Sequence, residues 1–150
     1  MDSKQHKKQT VLMQGPIAPI FISDSIAAHS SKTNIGAHAI FLGQVRADKL
    51  ADKIVKAILY SAYAEMAEKE FHRIRENAFH RYQLCCLHVY HSIGEVKAGE
   101  ISLFVFVSAV HRKDAFVACQ EIVDDIKANV PIWGKELFED GSFVWKENKG

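Results

Sequence analysis

Residues 101–107 read ISLFVFV, apolar at every position but one. A run this short, bounded by turn signals and rich in β-branched and aromatic residues, is a strand without a polar face. Such a strand folds only if other elements cover it on both sides. The rest of the chain must therefore place further strands beside it and layers above and below.

Residues 36–46 read as a neighbouring strand. Ala37, Ala39, Phe41 and Val45 share one face, with Ile40 and Leu42 on the other, so both faces are expected to be covered. Residues 54–63 form another strand rich in β-formers. Residues 84–91 form one more, with Gly94 and Gly99 punctuating the turn behind it. Between them, Ala67, Phe71, Ile74, Ala78 and Tyr82 recur at steps of four, three, four and four, the stripe of a helix over residues 65–82. Residues 113–129 predict a second long helix, buried through Phe116, Cys119, Ile122 or Val123, and Ile126, and ended by Pro131. A short strand at 11–13, a short helix capped by Ser23 or Asp24, and a last strand at 143–145 complete the set. Residues 47–53 (ADKLADK) read as a charged, mobile connection. This order predicts an α+β fold with two long helices packed on a mostly antiparallel sheet. No repeat or linker interrupts it, so residues 10–150 are expected to form one domain behind a disordered tail at 1–9.

Charge narrows the function. Lys and Arg number 19 against 18 Asp and Glu, a net charge of +1, which supplies no global field for nucleic acid or an anionic membrane. Any anion site must be local. No apolar run approaches the ~18 residues of a membrane span. Cys85, Cys86 and Cys119 are odd in number, and two are adjacent. That suits neither a disulfide framework nor a zinc site, and fits reduced core thiols of a cytoplasmic protein. His88 and His91 stand an odd number of residues apart in a strand and so face opposite sides. His72 and His80 lack a third ligand at a useful spacing, and no metal or cofactor is expected.

What remains is a set of oddly placed cations. His111-Arg112-Lys113 sits at a helix start, where the dipole disfavours positive charge unless an anion joins it. The ordinary alternative is that these side chains face solvent or pair with acids such as Asp114. Lys127 lies in the last helical turn, where a lysine complements the dipole. It also stands at the rim of the buried stripe, four residues after Val123, where desolvation would lower its pKa and suit it to nucleophilic or proton-donating work. Lys135, beyond Trp133-Gly134, reads as a loop lysine, and Arg46 as a strand-terminal cation. Both are candidates for a pocket rim.

Four motifs occur in order: Gly43-Gln44-Val45-Arg46, His91-Ser92-Ile93-Gly94 with Gly99-Glu100, His111-Arg112 with Ala115-Phe116, and Lys127 with Pro131 and Trp133. Glu139-Asp140-Gly141-Ser142 follows them. In this order and spacing the chain closely resembles the large, catalytic subunit of molybdopterin synthase over residues 36–145. The resemblance implies an alpha/beta hammerhead fold and a homodimer within a heterotetramer. It also implies a partner, a small ubiquitin-like sulfur-carrier subunit whose C-terminal thiocarboxylate gives up sulfur to cyclic pyranopterin monophosphate, yielding molybdopterin. Carried over by position, Lys127 matches the catalytic lysine, with Lys135 a second candidate. The substrate pocket would draw on Gln44, Val45, Arg46, His111, Arg112, Lys127, Gly134, Lys135 and Glu136. Both guests are anions, so cations from separate segments are what such a pocket needs.

Two positions depart from the pattern. Gly134 stands where the family carries a second functional lysine directly after the tryptophan, and Ser92 stands where many relatives carry arginine. Those departures leave an alternative open: a non-catalytic module that binds a ubiquitin-like tail or a phosphate ligand.

Overall fold

The computed structural model describes residues 11–146. The tail expected at residues 1–9 lies outside the described residues. The elements are β1 (Leu12–Gln14), α1 (Pro19–Ala28), β2 (Ala37–Gln44), β3 (Lys49–Leu50), β4 (Lys53–Ala62), α2 (Ala64–Arg81), β5 (Leu84–Lys97), β6 (Ile101–Ala109), α3 (Arg112–Asn129), β7 (Ile132–Phe138) and β8 (Phe143–Trp145). They form an eight-stranded sheet in the order β2-β6-β5-β4-β7-β8, with β1 beside β5 and β3 beside β4. Among the described residues every strand pairing is antiparallel except that of β1 with β5. The fold is α+β, as the element order predicts.

The apolar run forms the inner strand β6, buried from Ser102 to Ala109. Its two faces are covered by different layers. Leu103, Val105, Val107 and Ala109 pack under α2 and α3, against Phe71, Ile74, Ile122 and Ile126. Phe104 and Phe106 pack on the opposite side with Ile17 and Ile22 of the α1 layer. Phe21 of α1 meets the Tyr90 ring edge-on at 4.8 Å. Burying each such side chain is worth about 2–3 kcal/mol, so this strand anchors both layers. At the outer edge, Arg81 and Tyr82 reach Glu121 and tie the end of α2 to α3.

Several local expectations are corrected. α1 begins at Pro19, without a side-chain cap, rather than at Ser23 or Asp24; proline suits the first turn because its missing N–H has no partner to lose there. β2 is the edge of the sheet, so Ile40 and Leu42 remain 37% and 41% exposed instead of covered. β5 does not stop at His91. It pairs with β6 as far as His91, then crosses to β4 from Gly94 onward. Gly94, at φ +85°, permits that change of partner, and a Cβ there would sit 2.2 Å from Nε2 of Gln14. The turn itself falls at Gly99. Residues 47–53 contain a small hairpin in which β3 folds onto the start of β4. In α3 the buried stripe runs through Ala115, Cys119, Ile122 and Ile126, while Phe116, one residue further round, is 66% exposed. Finally, residues 132–138 form a strand, β7, paired along β4, where the sequence reading placed a loop.

Candidate active site

α3 follows β6 and packs back across β6 and β2, so its last turn returns to the end of the sheet where β6 begins. Lys127 stands there. The side chain as a whole is accessible, but its place against the sheet strips water from the ammonium. Its pKa falls below the ordinary lysine value, first through that desolvation and then through the charge of Lys146. Beneath it, β5 supplies His91, which is buried and held at a pKa of about 4, chiefly by burial. The His91 Nδ1–H donates to the Ser92 carbonyl at 2.8 Å, so Nε2 carries the lone pair. Tyr60 of β4 packs its ring edge-on to His91 at 5.2 Å, and its hydroxyl donates to Ser102 Oγ at 3.2 Å. Burial raises the Tyr60 pKa, and the nearby Glu136 carboxylate adds to that rise.

β7 decides which of its residues face this site. Tyr60 pairs with Gly134, and Ile58 with Glu136. Directly paired residues share a sheet face. Gly134 and Glu136 therefore lie on the face of Tyr60, with Glu136 buried. Lys135 points the other way, its Nζ lying 4.3 Å from the Phe143 ring centroid and 5.4 Å from that of Trp145. The hairpin to β8 brings a different lysine across: the Lys146 N–H donates to the Gly134 carbonyl at 2.8 Å. Neither Lys146 nor Tyr60 was singled out in the sequence. The signal for Lys146 was present, since counting outward from the Asp140-Gly141 turn pairs residue 134 with residue 146.

The remaining candidates divide between two places. Val45 is buried against Ile58, Val96 and Tyr60. Gln44 and Arg46 flank it in exposed positions at the same end of the sheet as the last turn of α3. Arg46 turns outward onto Asp48, 3.2 Å away. His111, the N-cap of α3, and Arg112 lie at the opposite end of that helix, both exposed. Fifteen residues of helix separate Arg112 from Lys127, a span of ~22 Å at a rise of ~1.5 Å each. Within one chain these cations do not share a pocket. Ser92 is fully buried under the parallel pairing with β1, so it lies in the core and not on a rim.

On the other face of the sheet, ligating atoms of His29, Cys86 and His88 lie within 4.8 Å of one another. Ordinary bonding accounts for them. His29 Nδ1–H donates to the Ser25 carbonyl at 2.7 Å, leaving Nε2 to accept from His88 Nε2 at 3.1 Å. Burial, the His29 ring and the cations Arg75 and Lys32 push the His88 pKa down to about 4. Lys32 Nζ also donates to Cys86 Sγ at 3.2 Å. Those two cations oppose the approach of a metal ion.

The described residues thus form an open α+β sheet with a partly desolvated amine at one end and a second amine close enough to perturb it. Residues 17–129 match the MoaE protein family. The molybdopterin synthase catalytic subunit of Pyrococcus abyssi is 44% identical over 84% of this chain and 83% of its own length. That of Oryza sativa subsp. indica is 46% identical over 76% of this chain, which spans only 58% of the rice protein. Among solved structures, molybdopterin synthase from Staphylococcus aureus superposes with a TM-score of 0.81 at 30% identity, over 95% of this chain and 99% of that one. A complex of subunits 1 and 2 of molybdopterin-converting factor from Helicobacter pylori 26695 shares the fold, at a TM-score of 0.78 and 21% identity, over 93% of this chain and 90% of that one. The chain belongs to the MoaE family and shares the enzymatic class of its molybdopterin synthase catalytic subunits.

Proposed function

We propose that this chain converts cyclic pyranopterin monophosphate to molybdopterin, taking sulfur from the C-terminal thiocarboxylate of a small ubiquitin-like carrier subunit. The observation that carries this reading is Lys127, a partly desolvated amine at the end of α3 in a chain of this family. An ammonium there binds the thiocarboxylate and stabilises charge that develops as the carbon–sulfur bond breaks. Sulfur bonds to the substrate carbon, water adds to the acyl carbon as the carbon–sulfur bond breaks, and each carrier leaves as the carboxylate, so the two sulfurs of the dithiolene need two deliveries. His91 and Tyr60 form the buried polar floor below Lys127. A partner subunit in the Helicobacter pylori complex supports a carrier that docks on the large subunit. The three cysteines are free thiols, which suits a cytoplasmic setting.

The ~22 Å between Arg112 and Lys127 is reconciled by a second copy of the chain. Ile40 and Leu42 on the edge strand and Phe116 on α3 leave an apolar flank open, and Phe116 lies about one and a half helical turns from His111. A two-fold axis across that flank runs the partner's α3 antiparallel to this one. It sets the partner's His111 and Arg112 beside the helix end that carries Lys127, where they bind the substrate phosphate as a charge-assisted pair. The dimer joins two carriers in a heterotetramer.

The test is sulfur transfer from purified thiocarboxylated carrier to cyclic pyranopterin monophosphate, read as dithiolene formation. Product formed at the rate of an enzyme supports the reading. Tight carrier binding with no product would assign the chain to the binding-module alternative.

A further inference from the structure

We propose that Lys146 is the second cation of this pocket, reaching the anionic guest alongside Lys127 from the strand opposite Gly134. The proposal rests on the sulfur-transfer reading of the site. Four observations carry it.

Register comes first. β7 and β8 pair Lys135 with Trp145 and Glu136 with Val144, so the next pair outward is Gly134 with Lys146, joined by the 2.8 Å backbone hydrogen bond. Paired residues share a face, which places the Lys146 stem on the side of Tyr60 and Glu136. Space comes second. The point a Cβ on Gly134 would occupy lies 3.6 Å from both Cβ and Cδ of Lys146, and 2.9 Å from Cγ2 of Ile58. A Cβ there would press on Ile58 but meet Lys146 only in ordinary contact, so the lysine stem runs directly alongside Gly134. Third, the neighbouring lysine is committed elsewhere, with Lys135 held over Phe143 and Trp145 on the opposite face. Last, the Lys146 charge is felt at Lys127. Two ammonium groups that repel each other gain stability when an anion lies between them, and the guests of this pocket are anions. Charge couples Lys127 to Lys146 and to His91 of β5. Tyr60 of β4 packs on His91, Glu136 of β7 shares the sheet face of Tyr60, and Asp124 precedes Lys127 by three residues on α3.

The experiment compares wild type with Lys146→Ala and Lys146→Arg. One readout is sulfur transfer from the thiocarboxylated carrier. The other is the titration of the Lys127 amine by competitive labelling in the resting protein, which needs no turnover. Loss of one charge-assisted contact predicts a fall in kcat/KM of roughly tenfold or more for Lys146→Ala. The Lys127 titration should move to higher pH in that variant and stay in place in Lys146→Arg. Wild-type kcat/KM and an unmoved Lys127 titration in Lys146→Ala would overturn the proposal while leaving sulfur transfer by the wild type intact. An inactive wild type whose Lys127 titration still moves would sink the functional reading and leave the pairing of the two amines standing.

Discussion

Replacing Lys127 with alanine should separate activity from stability. In the fold its ammonium is less welcome than in water, through desolvation and the nearby Lys146. A base whose pKa is lowered on folding costs stability at every pH below its folded value, and that cost disappears only above the unfolded value. At pH 7 its removal therefore relieves a penalty. The opposing loss is that of contacts made by an accessible side chain, under about 1 kcal/mol for a surface ion pair. The net change should stay within about 1 kcal/mol either way, which for a chain of this size moves Tm by no more than ~4 °C. The rate of dithiolene formation should meanwhile fall by about 10²–10³, the usual loss when one preorganised donor to developing charge is removed. Single-turnover assays with thiocarboxylated carrier, beside thermal melts of the same samples, make the comparison. A rate within threefold of wild type would refute the role of the amine. A melt lowered by far more than ~4 °C alongside the lost rate would make Lys127 a structural residue instead.

Other consequences follow from the same geometry. Phe104, fully buried between the sheet and α1, should cost about 3–5 kcal/mol when cut to alanine, measured by denaturant unfolding. Phe116→Asp should leave the melt of the monomer nearly unchanged and abolish dimerisation in analytical ultracentrifugation, because its ring is exposed on the flank assigned to the second copy. His91 has an ordinary pKa of 6.5 and a folded one of about 4. Between those values the unfolded chain binds the extra proton, so stability falls as pH drops through that window, by on the order of 3 kcal/mol at most. Melts of His91→Gln across the same window should show a flatter acid limb.

Much of the fold was legible because a few segments leave no choice. The unbroken apolar run of residues 101–107 demands cover on both faces, and the periodic stripe through Ala67, Phe71, Ile74 and Ala78 admits only a helix. What escaped was set by neighbours. Whether Ile40 and Leu42 are covered depends on which strand ends the sheet, and their alternation carries no trace of that. Phe116 was assigned to the core because it is large and apolar, although Ala115, one position back, lies on the centre of the stripe; small residues there let α3 approach the sheet. Gly94 read as a turn because glycine marks turns, yet here it lets β5 change partners.

The site was half legible for a related reason. Residue type drew attention to Lys127, and its place at the rim of a helical stripe foretold a lowered pKa. The neighbourhood of Lys135 read as a loop, whereas it is strand β7, and period two sets Lys135 on the face opposite Gly134 and Glu136. Lys146 was hidden in a charged C-terminal stretch whose register only the hairpin reveals. The distance from His111 and Arg112 to Lys127 was implicit in the predicted helix, which puts the pair at its start and the lysine in its last turn; what the sequence leaves out is any second copy to bring the two ends together.

That distance offers the most direct test. If each pocket takes Lys127 from one chain and His111 with Arg112 from the other, Lys127→Ala and Arg112→Ala are each inactive alone yet complementary. Mixed in equal amounts and allowed to exchange subunits, half the dimers carry both variants, and each of those holds one intact pocket of two. Activity should return to roughly a quarter of wild type, within the range expected for independent sites. A mixture that stays as inactive as its components, with subunit exchange verified, would contradict a pocket shared between two copies.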